Sequence, residues 1–80
     1  MDKIRIYPNP ANNGKFFVII PDLFSDAQIQ IYDLKGIIVY NGKLVNEENE
    51  INTQLAGGIY FVQIINRVES FVQKVIIDNN

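Results

Sequence analysis

The stretch Leu55-Ala56-Gly57-Gly58-Ile59-Tyr60-Phe61-Val62-Gln63-Ile64-Ile65 leaves the chain few folds to choose from. Two adjacent glycines break the backbone, and an unbroken β-prone run follows at once. In extended geometry successive side chains alternate. Gly58, Tyr60, Val62 and Ile64 then share one face, and Ile59, Phe61, Gln63 and Ile65 the other. The second face is less polar than that of an ordinary surface strand. A strand apolar on both sides belongs inside a sheet, with a partner along each edge. Residues 58–65 are therefore expected to form the central strand. The Leu55-x-x-Gly58-x-Tyr60 spacing also fits a tyrosine corner, in which a Tyr near a strand's start bonds backbone a few residues upstream.

The rest of the chain reads as short strands between turn signals. Residues 3–7 alternate cleanly, and Pro8-Asn9-Pro10 is expected to end this first strand, because proline lacks the ladder's donor. Asn12-Asn13-Gly14 is a turn leading into residues 15–20, with Phe16, Val18 and Ile20 inward. Pro21 closes that strand, and residues 22–26 form a loop with Leu23 and Phe24 tucked beneath it. Residues 27–32 alternate with Ile29 and Ile31 toward the core. In Asp33-Leu34-Lys35-Gly36 the glycine supplies the positive φ of a type I turn with a bulge.

Residues 37–40 return as the partner strand, Asn41-Gly42 reads as another turn, and residues 43–45 as a short strand or the tail of the previous one. Residues 46–50 read as an acidic loop, 50–53 as a weak edge strand carrying Ile51, and 66–70 as a turn. Residues 71–77 form the final strand, with Asp78-Asn79-Asn80 fraying into solvent. The expected core is Ile4, Ile6, Phe16, Val18, Ile20, Ile29, Ile31, Leu34, Leu55, Tyr60, Val62 and Ile64. No segment carries a helical apolar period. Six or seven short strands with turns between them predict an all-β antiparallel sandwich.

Composition narrows the function. Eighty residues, 48% of them hydrophobic, make one domain with one core. The net charge is −2, and the seven Lys and Arg are scattered, so nucleic acid is not an expected partner. Without His or Cys, neither a Ser-His-Asp type triad nor a zinc site of those ligands can be built. Two carboxylates could in principle serve a glycosidase, but a sandwich of this size offers little cleft. The expectation is no enzyme and no cofactor.

Asn46-Glu47-Glu48-Asn49-Glu50 carries oxygen ligands of the calcium type, yet lacks fixed ligand spacing and reads better as a solvated loop. Asp33 suits turn amides better than a metal. Gly57-Gly58 opens a strand, not a helix, and so cannot cradle phosphate as a helix N-terminus does. Tyr7, Tyr32, Tyr40 and Tyr60 could stack on a sugar if they shared an exposed face, but Tyr60 reads as core, while Tyr32 and Tyr40 flank one hairpin and could pair across it. No stretch is long and apolar enough for a membrane-spanning helix, and residues 1–5 lack the apolar core of a signal peptide. A start of Met-Asp directly before a strand fits a domain excised from a larger protein.

Four stretches, taken in order, carry a resemblance. They are Ile6-Tyr7-Pro8-Asn9-Pro10, then Ile29 to Gly36, then Leu55-Ala56-Gly57-Gly58-Ile59-Tyr60-Phe61-Val62, and last Gln73-Lys74-Val75-Ile76-Ile77. Together they resemble the type A C-terminal sorting domain of the type IX (Por) secretion system of Bacteroidota, over roughly residues 4–77. The resemblance implies an immunoglobulin-like sandwich, fused behind a cargo, that serves as the cargo's secretion signal. It implies outer-membrane type IX secretion proteins and a sortase-like peptidase as partners. It also implies a route through periplasm and outer membrane to the cell surface or the medium. The motif residues it marks are Pro8, Asn9, Pro10, Asp33, Gly36, Gly58, Tyr60, Lys74, Val75, Ile76 and Ile77. Many members carry a basic residue straight after the last strand, where this sequence has Asp78-Asn79-Asn80.

The competing reading is a generic extracellular sandwich that binds carbohydrate or protein, which the fold alone allows equally. A terminal position behind a cargo favours the first, a tandem or internal position the second. In the final strand Val75 and Ile77 are expected to face the core, leaving Lys74 open to a partner. An exposed last strand with free backbone groups would suit β-augmentation.

Overall fold

The structure, a computed structural model, describes residues 4–21 and 26–78. The expected loop around Leu23 and Phe24, and Lys3, Asn79 and Asn80, lie outside these residues. Seven strands follow in chain order: β1 (Arg5–Asn12), β2 (Lys15–Ile19), β3 (Ala27–Tyr32), β4 (Ile38–Leu44), β5 (Glu48–Asn52), β6 (Gly58–Ile65) and β7 (Ser70–Asp78). The described residues contain no helix. The strands hydrogen-bond in the order β4-β3-β6-β7-β1-β2-β5.

That continuous sheet is folded over. Its smallest Cα extent is 19 Å, too thick for one layer and right for two about 10 Å apart. Residues from both ends of the order fill one core, among them Ile29, Val62, Ile64 and Val75 from one layer and Phe16, Val18 and Ile51 from the other. The first, second and fifth strands make one layer, and the third, sixth and seventh the other, with β4 added to its edge. This is the immunoglobulin-like distribution of strands between two sheets. β6 is the central strand expected, paired antiparallel with β3 and β7.

β1 joins the layers. Its first half pairs antiparallel with β2, from Arg5 opposite Ile19 to Tyr7 opposite Phe17. Its end pairs parallel with β7, Ala11 opposite Ile77 and Asn12 opposite Asp78. The expectation that Pro8-Asn9-Pro10 ends the first strand is thus corrected: β1 runs through both prolines, each preceded by a cis peptide bond. The register with β2 breaks between Tyr7 and Asn12, where a ladder would need the N–H groups that proline lacks.

Other boundaries shift for non-local reasons. Asn41-Gly42 is no turn: β4 passes straight through it, because β3 offers partners as far as Ala27, opposite Leu44. Leu44 is fully buried as a result. Residues 48–50 belong to β5, paired along β2, and Asn49 turns inward with its Nδ2 donating to the Asn46 carbonyl at 2.7 Å. Leu34 is not core but 67% exposed, since it occupies the outer corner of the Asp33 turn. Leu55 is half-buried against the core. The other expected core residues are buried, joined by Ala11, Ala27, Leu44, Ile51, Val75 and Ile77. Asp78 does not fray but ends β7, and its carbonyl accepts the Asn13 N–H at 2.8 Å.

The turn between β1 and β2 holds the strand junction closed. Asn13 and Gly14 both have positive φ, 57° and 75°, as a two-residue hairpin of the primed type needs. The Gly14 carbonyl accepts from the Thr53 N–H at 2.9 Å and the Thr53 hydroxyl at 3.0 Å. A Cβ on Gly14 would stand 2.6 Å from Thr53 Oγ1 and 2.7 Å from its carbonyl oxygen. Gly36 also has positive φ, 84°, but an added Cβ there meets nothing within 4 Å. Gly36→Ala should therefore cost ~1–2 kcal/mol from backbone strain alone. Gly14→Ala should cost clearly more, because the collision adds to the strain. Urea unfolding of the two variants side by side checks this; equal midpoints would show that the Thr53 contact yields freely.

Candidate functional site: the motif residues around β7

Three of the four motif stretches meet on β7. Between its two prolines, Asn9 reaches across with its side-chain carboxamide. Its Nδ2 donates to the Lys74 carbonyl at 3.1 Å, and its Oδ1 accepts the Ile76 N–H at 3.0 Å. A residue in a parallel ladder bonds to the residues before and after the one opposite it. Asn9 does so around Val75, in register with Ala11 opposite Ile77. A carboxamide carries the same donor and acceptor as a peptide unit. The side chain thus continues the ladder where the flanking prolines cannot.

On its other edge Val75 pairs with Tyr60, and Gly58 pairs with Ile77. The Tyr60 hydroxyl donates to the Ala56 carbonyl at 2.7 Å, four residues upstream, which is the tyrosine corner expected. Gly58 has φ of 157°, with the Tyr60 ring 3.9 Å from where a Cβ would stand. Val75 and Ile77 are buried, as expected, and Lys74 and Ile76 face outward.

One expectation for this strand fails. β7 is not at a sheet edge: β6 lies on one side, and β1 with the Asn9 carboxamide on the other. The sheet ends instead at β4 and β5.

The fourth stretch stands apart. Asp33 Oδ1 accepts the N–H of Lys35 at 2.8 Å and of Ile37 at 3.0 Å, and the Gly36 N–H bonds the Asp33 carbonyl at 3.0 Å. These residues build the β3–β4 turn and do not touch β7. Tyr32, just before it, pairs with Phe61, which pairs with Lys74. The turn therefore adjoins the same end of the layer.

Among the described residues no group of three or more Asp, Glu, His or Cys could hold a metal. Of the acidic run, Glu48 accepts from the Tyr7 hydroxyl at 3.1 Å, and Glu50 pairs with Lys15 at 3.2 Å on the outward face of β1-β2-β5. The Asn52 amide first, and then Lys15, hold the Glu50 carboxyl below its ordinary range. The bond to Glu48 pushes the Tyr7 hydroxyl up. The tyrosines make no common platform: Tyr60 is buried, Tyr7 lies in the layer opposite Tyr32, and Tyr32 stands opposite Ile38, not Tyr40. No helix among the described residues is long and apolar enough to cross a membrane.

Sequence reasoning missed the outward face of β4-β3-β6-β7. Ile38, Ile59, Phe61 and Ile76 are all exposed there. The signal was the poor polarity of the odd-numbered positions in β6, which marks more than a central strand, since Ile59 and Phe61 stay open on its outward face.

Known proteins place this arrangement. A solved structure of PorZ, an essential surface component of the type IX secretion system of Porphyromonas gingivalis, matches with a TM-score of 0.76 at 20% identity. The match covers 94% of this chain and 11% of that one, so it speaks for the fold alone. No curated protein sequence matches. The family model described as the secretion system C-terminal sorting domain, Por_Secre_tail, matches residues 5–78.

The geometry around β7 makes two stability predictions. Tyr60→Phe should cost about 0.5–1.5 kcal/mol, the worth of one lost hydrogen bond. Asn9→Ala removes two and should cost about 1–3 kcal/mol. Chemical denaturation reads both, and an unchanged midpoint for Asn9→Ala would mean that water replaces the carboxamide without loss. With three of the four motif stretches meeting on β7 and the match running from the start of β1 to the end of β7, this chain belongs to the C-terminal sorting domain family, the sorting signal of type IX secretion.

Proposed function

We propose that this domain is a type A sorting domain that acts as a folded address for an N-terminally fused cargo. Outer-membrane proteins of the type IX system read it after the cargo reaches the periplasm and pass the cargo across the outer membrane. A sortase-like peptidase then cuts before the domain, and the cargo is joined to surface lipopolysaccharide or released. The domain itself performs no catalysis. The observation that carries this reading is the family match over residues 5–78, together with the family motifs gathered around β7. An address built this way depends on the fold, because Asn9, Tyr60 and Lys74 come together only when β1, β6 and β7 are paired.

The reading is tested by placing residues 1–80 behind a signal peptide and a fluorescent protein in a Bacteroidota host with a working type IX system. The fluorescent cargo should reach the cell surface or medium. Deleting residues 74–80 should hold it in the periplasm, since the deletion removes both the exposed Lys74 and the β7 partners of Asn9. An intact fusion that stays periplasmic while the host exports its own sorted proteins would favour the generic binding module instead.

A further inference from the structure

The two outward faces of the sandwich differ in kind. On β1-β2-β5 the side chains satisfy one another: Lys15 with Glu50, Tyr7 with Glu48, and the Tyr7 ring 5.6 Å from Phe17. On β4-β3-β6-β7 Gln30, Tyr32 and Gln63 are linked in this way, but large apolar side chains stand open beside them. Cross-strand register sets Ile38, Tyr32, Phe61 and Lys74 in one row, and Ile59 opposite Ile76 in the next. Four of these six are large apolar side chains between 36% and 48% exposed. Directly opposite residues on one face of a sheet touch, so this is one patch and not scattered exposure.

Its charge is as distinctive. The chain has nine acidic residues, yet β3, β4 and β6 contain none and β7 only Asp78 at its last position. Among the described residues the one ion pair is Lys15–Glu50, so Lys74 stands in the patch without a carboxylate. The patch is also stiff. It rides on the central strand, and the Tyr32 hydroxyl is tied to Gln30 Oε1 at 2.8 Å and Gln63 Oε1 at 3.0 Å. Binding there orders little that is not already ordered, which is the condition for high affinity from a modest area.

We propose that this outward face is the surface on which a protein of the export machinery docks, through an apolar patch that sets a carboxylate against Lys74. The inference rests on the sorting reading above, and it names where on the domain that reading is carried out. Two other occupants fit less well. A second copy packed on the same face would bring its own Lys43 and Lys74 into the interface, where β3, β4 and β6 offer no acid to pair with them. An anionic membrane surface calls for clusters of four to eight basic residues, and the strands of this face carry two.

The test uses the exported fusion with a photo-crosslinking phenylalanine analogue at position 61 or, on the opposite face, at position 17. Irradiation during export should join position 61, and not position 17, to a protein of the secretion apparatus, identified by mass spectrometry. Lys74→Glu and Phe61→Gln should each lower the exported fraction roughly tenfold or more, as loss of a central contact does. The opposite-face control Arg5→Glu should export as the parent does. All three should melt within a few degrees of the parent, which separates docking from folding. An adduct between two copies, an adduct to lipid, or full export of both Lys74→Glu and Phe61→Gln overturns the proposal. If the intact fusion itself stays in the periplasm, the sorting reading fails and this inference with it. If the intact fusion reaches the surface and the variants follow it, this inference alone fails.

Discussion

The structure hangs on a carboxamide doing the work of a peptide group. β1 must leave the layer of β2 and join that of β7, and it makes the crossing over Pro8-Asn9-Pro10, where proline can offer no ladder donor. The Asn9 side chain supplies the missing donor and acceptor to Lys74 and Ile76, in register with the parallel pairs that follow. Without it the middle of β7 would present a polar backbone edge beside two prolines. With it the two layers become one hydrogen-bonded sheet closed over a single core. The motif stretches are therefore not separate signatures. Asn9, Tyr60 and Val75 are one arrangement seen at three places in the sequence.

How much of this could be read beforehand depended on how local the cause was. The Asp33-to-Gly36 turn was legible because all its hydrogen bonds lie within five residues, and Gly36 has the positive φ that its position demands. The tyrosine corner was legible for the same reason, since Tyr60 bonds a carbonyl only four residues away. β6 was legible from its apolarity on both faces. The errors share the opposite cause. Pro8 and Pro10 look like a strand end until Asn9 meets a strand more than sixty residues on. Asn41-Gly42 looks like a turn until β3 supplies a partner on its far side. Nothing within β7 reveals that a strand from the other terminus covers its second edge.

The contrast between the two outward faces follows from where the charges fall along the chain. Glu48 and Glu50 alternate along an edge strand and find partners on β2 and β1, as side chains of alternating positions do on one face of a sheet. β3, β4 and β6 have no acidic residue to offer Lys74. A sandwich can bury its core equally well with either arrangement. The difference between the faces is thus free of the fold.

The interior place of β7 has a consequence for how the chain is made. β7 is the last of the seven strands to be synthesised, yet it touches both layers and carries the Asn9 and Tyr60 partners. Until it emerges, β1-β2-β5 and β4-β3-β6 are two half-sheets with no backbone pairing between them. The backbone link between the two half-sheets therefore forms only once β7 is present. A product cut short before β7 would carry all the earlier motifs in its sequence but would leave Asn9 and Tyr60 without their partners on β7. The order of strands thus leaves the joining of the two layers to the seventh strand: the label is finished only when β7 is in place.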